Sequence, residues 1–201
     1  MKKVALCKMI ENFEKRKTEY LESIYQECRA KTERNWLLNN PQYISLRYFS
    51  RKVDFWPDKS EEIIVKFDFK RALIGSALFL FIQVATVAAM GKEMLTSPGF
   101  VIMILIITLI SAYNCGKEIR SPVKIIMNKD GMWLHTTRSW IAWPKLISAY
   151  IRVDSSGESD THFLVLHYYS ETTDSFASTE IDLHGLNIKK ERIAAEIESR
   201  K

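Results

Sequence analysis

The sequence predicts an α+β membrane protein, with a two-helix transmembrane hairpin in mid-chain. A long amphipathic helix precedes the hairpin, and a small β-barrel or sandwich closed by one helix follows it. Three observations carry this expectation. An uncharged run of 20 residues, Ala72 to Gly91, is followed closely by a second apolar block, Phe100 to Ala112. Hydrophobicity alternates every second residue from Val123 onward, the period of half-buried strands. Charge is also unevenly spread. Lys and Arg number 16 against 11 Asp and Glu over residues 1–71, but 12 against 12 over residues 117–201.

Residues 1–40 read as a cytosolic helix from about Val4 to Leu38. Leu6, Ile10, Phe13, Tyr20, Ile24 and Cys28 recur at helical steps, with Glu14, Lys15, Glu19, Glu22 and Lys31 on the solvated side. Lys17 interrupts the seam. A coiled-coil dimer and packing on the chain's own domain both fit this pattern. Asn39-Asn40-Pro41 ends the helix, because proline disfavours helical backbone in the residue before it.

Residues 41–71 form a basic and aromatic segment. Arg47, Arg51 and Lys52 stand among Tyr43, Tyr48, Phe49, Phe55 and Trp56, a composition that suits a headgroup region or packing under a following domain. Alternation of Ile63, Val65, Phe67 and Phe69 predicts a short strand there.

The expected spans cover residues 72–91 and 99–115, with an external loop at 92–98. Twenty helical residues extend about 30 Å, the thickness of a bilayer core. Lys66, Lys70 and Arg71 before the pair, and Lys117, Arg120 and Lys124 after it, place both termini in the cytosol under the positive-inside rule. Gln83 is the strongly polar intramembrane residue, and a hydrogen bond to the partner helix is its simplest role.

In residues 117–201 the expected strands are Val123 to Met127, Met132 to Thr136, Trp140 to Trp143, Ile147 to Val153, His162 to Tyr169 and Phe176 to Leu183. An Asp130-Gly131 turn joins the first two. A helix from Ile188 to Ser199, capped by Asn187, closes the chain.

The chemistry-bearing residues form no catalytic or metal-ligating pattern, so the expectation is a non-enzyme with no cofactor and no metal. Cys7, Cys28 and Cys115 have neither disulfide-framework nor zinc spacing. His162 and His167 point to opposite faces of one strand, and Asp182 shares a face with His184 and could orient its ring. The neutral C-terminal domain argues against nucleic acid as a partner, since phosphate contacts need clustered Lys and Arg. Trp140 beside Arg138, and Trp56 with Arg51, are the expected partner-binding residues; Trp143 belongs to the core.

The order of strand, Asp-Gly turn, strand, then Ile141-x-Trp143-x-x-Leu146-Ile147, further hairpin strands and a final amphipathic helix resembles the bacterial pleckstrin-homology-like domains. In several bacterial inner-membrane proteins such a domain directly follows a two-helix hairpin. The resemblance covers roughly Glu62 to Lys201 and leaves the N-terminal helix outside the family's pattern. It implies a multi-pass inner-membrane protein that contacts the lipid bilayer and binds a protein partner. Some family members are immunity proteins, which implies a toxin as that partner. A self-associating, homo-oligomeric scaffold or regulator and a lipid-headgroup binder are the alternative expectations.

Overall fold

The computed structural model describes residues 2–34, 41–53, 57–70, 122–155 and 160–201, with positions 74, 81, 82, 85, 99, 102, 104–109, 113 and 116; within the first helix, side chains are described from 11 to 32. The elements in chain order are α1 (Lys2–Arg34), β1 (Gln42–Ser45), α2 (Leu46–Ser50), β2 (Ile63–Lys66), β3 (Val123–Met127) and β4 (Gly131–Leu134). They continue with β5 (Ser139–Ala142), a 3-10 turn (Trp143–Lys145), β6 (Leu146–Ser155), β7 (Asp160–Ser170), β8 (Ser175–Asp182) and α3 (Lys190–Arg200). The fold is α+β with two four-stranded sheets, ordered β1-β6-β7-β8 and β2-β3-β4-β5.

The chain divides into two compact units. The first comprises Met1–Ile63, Ile126–His184 and Ile188–Lys201; the second comprises Ile64–Ile125 and Gly185–Asn187. In the first unit β1, β6, β7 and β8 pair antiparallel, with Ile151 opposite Leu164 and Leu164 opposite Ile181. Successive strand residues point to opposite faces. Ile151, Val153, Leu164, Leu166 and Ile181 therefore share one face, and all are buried. Lys190 of α3 reaches His162 on that side, its Nζ 2.6 Å from Nε2 and 5.6 Å from the centroid of the Phe49 ring of α2. The register of β6 against β7 shifts between Leu146 and Ser148, at the start of the strand.

In the second unit the backbone N–H of Phe67 donates to the Pro122 carbonyl at 2.7 Å, and that of Asp68 to the Gly185 carbonyl at 2.7 Å. Asn187 closes a reciprocal pair with Lys66: its Oδ1 accepts from the Lys66 N–H, and its own N–H donates to the Lys66 carbonyl, both at 2.8 Å. Asn187 is thus not the cap of α3. Lys189 holds that position, with no side-chain cap bond.

The structure corrects the expected fold class and localisation. A span needs about 20 consecutive apolar helical residues, and among the described residues no helix is long and apolar enough to cross a membrane. Helix α1 has the length, at 33 residues, but it is charged along its course, while α3 has 11 residues. The transmembrane hairpin, the multi-pass inner-membrane placement and the membrane character that followed from them are withdrawn. Most of the two apolar blocks, and Gln83 with them, lie outside the described residues. The described positions there include the exposed side chains of Ile74, Phe81, Ile82, Ile102, Leu105 and Leu109.

Of the two readings of the basic and aromatic segment, the described residues fit packing: Gln42–Ser45 and Leu46–Ser50 form β1 and α2, and Leu46 and Phe49 are buried in unit one.

Candidate functional site

Helix α1 lies on the face of the first sheet opposite the buried aliphatic side. That face carries Tyr150 and Arg152 of β6, Phe163, Val165, His167 and Tyr169 of β7, and Phe176 and Glu180 of β8, aligned by strand register. The described part of the helical seam read from the sequence, Phe13 to Cys28, docks here. Phe13 meets Tyr169 edge-on, with ring centroids 5.1 Å apart, and Tyr20 stacks on Phe176 at 4.8 Å. Offset and edge-to-face pairs of this kind add about 0.5–1.5 kcal/mol each beyond the area they bury. Arg16 donates from Nη2 to the Asp174 carbonyl at 2.8 Å and lies 3.7 Å from its carboxylate. The Tyr169 hydroxyl donates to that same carboxylate.

Four polar side chains run in line beneath the helix. His167 is buried and has a tyrosine on each ring nitrogen: the Tyr20 hydroxyl 3.0 Å from Nδ1 and the Tyr150 hydroxyl 3.1 Å from Nε2. The Cys28 thiol lies 3.7 Å from the Tyr150 hydroxyl. Burial holds His167 below the ordinary imidazole range, with Glu27 opposing weakly. Burial likewise pushes the phenols of Tyr20 and Tyr150 up. A neutral imidazole presents one donor and one acceptor, so one tyrosine donates to the ring and the other accepts from it.

Beside this line opens a groove of about 770 Å³ between the later turns of α1 and the β1–β6 pair. Leu21, Ile24, Tyr25 and Cys28 form its helix wall, and Tyr43, Ala149 and Tyr150 are among the residues on the sheet side. Tyr43 meets Tyr150 edge-on, with centroids 5.6 Å apart. In the sheet order β1 is an end strand, so among the described residues no strand pairs its outer side.

The residues expected to bind a partner fall elsewhere. Trp140 lies on β5 opposite Trp133 and is 44 % exposed; Arg138, at φ 50°, belongs to the preceding turn, so these two share one hairpin. Arg51 caps the C-terminal end of α2, and Trp56 lies outside the described residues. Trp143 is buried, with its indole N–H donating to the Asn128 carbonyl at 2.9 Å. Asp182 accepts the backbone N–H of His184 at 2.8 Å instead of orienting its ring.

The groove and the His167 line were missed because each side was judged alone. The available signal was the matching of two aromatic faces: Phe13 and Tyr20 seven apart on a helix, and Phe163, His167 and Tyr169 on one face of a strand. Among the described residues no three His, Cys, Asp or Glu side chains gather as metal ligands. No family model, no curated protein and no solved structure matches this chain.

Proposed function

We propose that this chain is a non-catalytic binding protein whose ligand is a polypeptide segment held in the groove between α1 and β1. The observation that carries the proposal is the position of the groove beside an end strand. A ligand laid there meets two kinds of recognition at once. The outer backbone groups of Gln42–Ser45 can pair with an added strand, while the groove takes alternate side chains, the division of labour seen in strand-addition complexes. Its volume falls within the roughly 300–1,000 Å³ of ordinary ligand sites. Leu21, Ile24, Tyr25 and Tyr43 offer apolar and aromatic anchors, and Thr32, Gln42, Ser45 and Ser148 offer polar ones. The resemblance to pleckstrin-homology-like domains also implies binding rather than catalysis.

Selection from a random displayed-peptide library on the immobilised full chain tests the proposal. Selected peptides are expected to lose at least about tenfold in affinity, near 1.4 kcal/mol, on Ile24→Glu or Tyr43→Ala, and to ignore Trp140→Ala. Peptides that depend on Trp140 and ignore both groove substitutions would place binding on the β4–β5 hairpin and overturn the proposal.

A further inference from the structure

We propose that His167 is a proton-sensitive latch: its neutral ring, held between Tyr20 of α1 and Tyr150 of β6, fastens the helix to the sheet, and protonation releases it. The geometry supports a latch because the ring joins two separate elements. Tyr20 reaches it from the helix at 3.0 Å and Tyr150 from the sheet at 3.1 Å, and His167 itself is 5 % exposed. In the neutral ring one nitrogen donates and the other accepts. A second proton makes both nitrogens donors, so the tyrosine that was donating must rotate its hydrogen away and accept instead, which leaves that hydrogen without its partner.

Among the described residues, the carboxylates around the ring are already engaged. From α1, Glu27 favours the charged ring but is shared with Lys31 at 2.6 Å, so it offsets only part of the burial cost, and the Cys28 thiol is turned to Tyr150. On β7, Tyr169 is bonded to Asp174, which Arg16 of α1 engages. On β8, Ser178 stands opposite His167, and Glu180 is paired to Arg152 of β6 at 2.6 Å. A charged ring therefore recovers a solvation shell when α1 lifts. No described side chain of α1 is buried, so the helix can lift without opening the aliphatic core.

The sign follows from linkage. Burial makes His167 less basic when α1 is docked, so the undocked form binds the proton better. Docking is complete above the ordinary imidazole value of about 6.5 and weakens as pH falls below it, by at most about tenfold per pH unit. Leu21, Ile24, Tyr25 and Cys28 of α1 wall the groove, so release of the helix removes that wall and dismantles the site. This last consequence rests on the binding function proposed above; the latch itself does not.

Amide hydrogen exchange on the full chain tests the latch, with protection factors compared at pH 7.5, 6.5, 5.5 and 5.0 and β6–β7 amides as the internal reference. Protection over residues 12–32 is expected to fall relative to that reference below pH 6.5. In His167→Gln, whose carboxamide can donate and accept but cannot titrate, the relative profile is expected to be flat. Should that variant lose its β7 protection, Tyr20→Phe replaces it: α1 protection is then expected to drop several-fold at pH 7.5, with a shallower acid response. A flat profile in the unmodified chain overturns the latch, as does the same acid response in the working variant. The assay uses no ligand, so a failed latch leaves peptide binding at pH 7.5 intact. A working latch on a chain that selects no peptide counts against the groove alone.

Discussion

Arg200 and Glu196 form an ion pair inside the protein, Nη2 to Oε2 at 3.2 Å, with both side chains 1 % exposed. The guanidinium also donates to the carbonyls of Lys59 at 3.1 Å, Asp58 at 2.9 Å and Glu61 at 2.9 Å. One side chain thus ties the last helix to the segment just before β2. Removing the cation breaks the closer of two contacts to a buried carboxylate, leaving Arg192 at 3.9 Å from its other oxygen, and breaking a buried pair typically costs about 3–5 kcal/mol. Arg200→Met is expected to lower the urea midpoint strongly. The double variant Glu196→Leu, Arg200→Met is expected to be more stable than Arg200→Met alone, because the poorly compensated buried charge is gone. A double variant no better than the single one would mean that the carbonyl contacts, rather than the ion pair, hold the segment.

Acid should destabilise the protein through two histidines. His162 accepts from the Lys190 ammonium at 2.6 Å, and both burial and that cation hold it below the ordinary imidazole range. His167 is held down by burial. The unfolded chain therefore binds more protons near pH 6, so stability is full above about 6.5 and falls as pH drops below it. The slope is expected to stay within about 1.4 kcal/mol per pH unit for each histidine. Urea titrations at pH 7.5, 6.5 and 5.5 measure it, and His162→Gln should make it shallower. A slope unchanged in that variant would remove His162 from the account.

Two glycines should respond differently to alanine. At Gly131 a Cβ would press on the Ile141 carbonyl oxygen and lie 2.9 Å from the Ala142 Cα, both backbone of the paired strand. Such overpacking costs about 1–3 kcal/mol, because the strand pair itself must shift. At Gly185, with φ 68°, the left-handed backbone costs about 1–2 kcal/mol, and the neighbouring atom is a Phe67 ring carbon at 2.9 Å that a small rotation can move. Gly131→Ala is expected to disturb the β4–β5 pair, seen as lost amide protection over 131–142; Gly185→Ala should leave those amides unchanged.

These particulars show what the sequence made legible. Period-two alternation located β3 through β8, because strands with one buried face repeat that pattern strongly. The Asp130-Gly131 pair marked the right hairpin for the wrong reason. Among the described glycines it is Gly185 that has positive φ, whereas the side-chain oxygen of Asn128 shapes the turn by accepting from the N–H groups of Asp130 and Gly131. Gly131 is needed for close strand approach. Short elements escaped notice: β1 and α2 together span nine residues, too few for a period to emerge from Gln42 to Ser50. Hydropathy misled most in mid-chain, where an uncharged stretch was equated with a membrane span. The groove was invisible because its walls, Ile24 and Tyr43, come from elements whose meeting is a tertiary event.

The central claim is that a polypeptide segment occupies the groove between α1 and β1, and the Cys28 thiol in its wall reports occupancy directly. The decisive measurement is the rate at which N-ethylmaleimide alkylates Cys28, followed by peptide mass spectrometry with and without a saturating selected peptide, using added N-acetylcysteine as the reference thiol. The account predicts that bound peptide slows alkylation at Cys28 at least about tenfold and leaves the reference thiol unchanged. An unaltered Cys28 rate at saturation would contradict it, because the ligand would then be bound somewhere else.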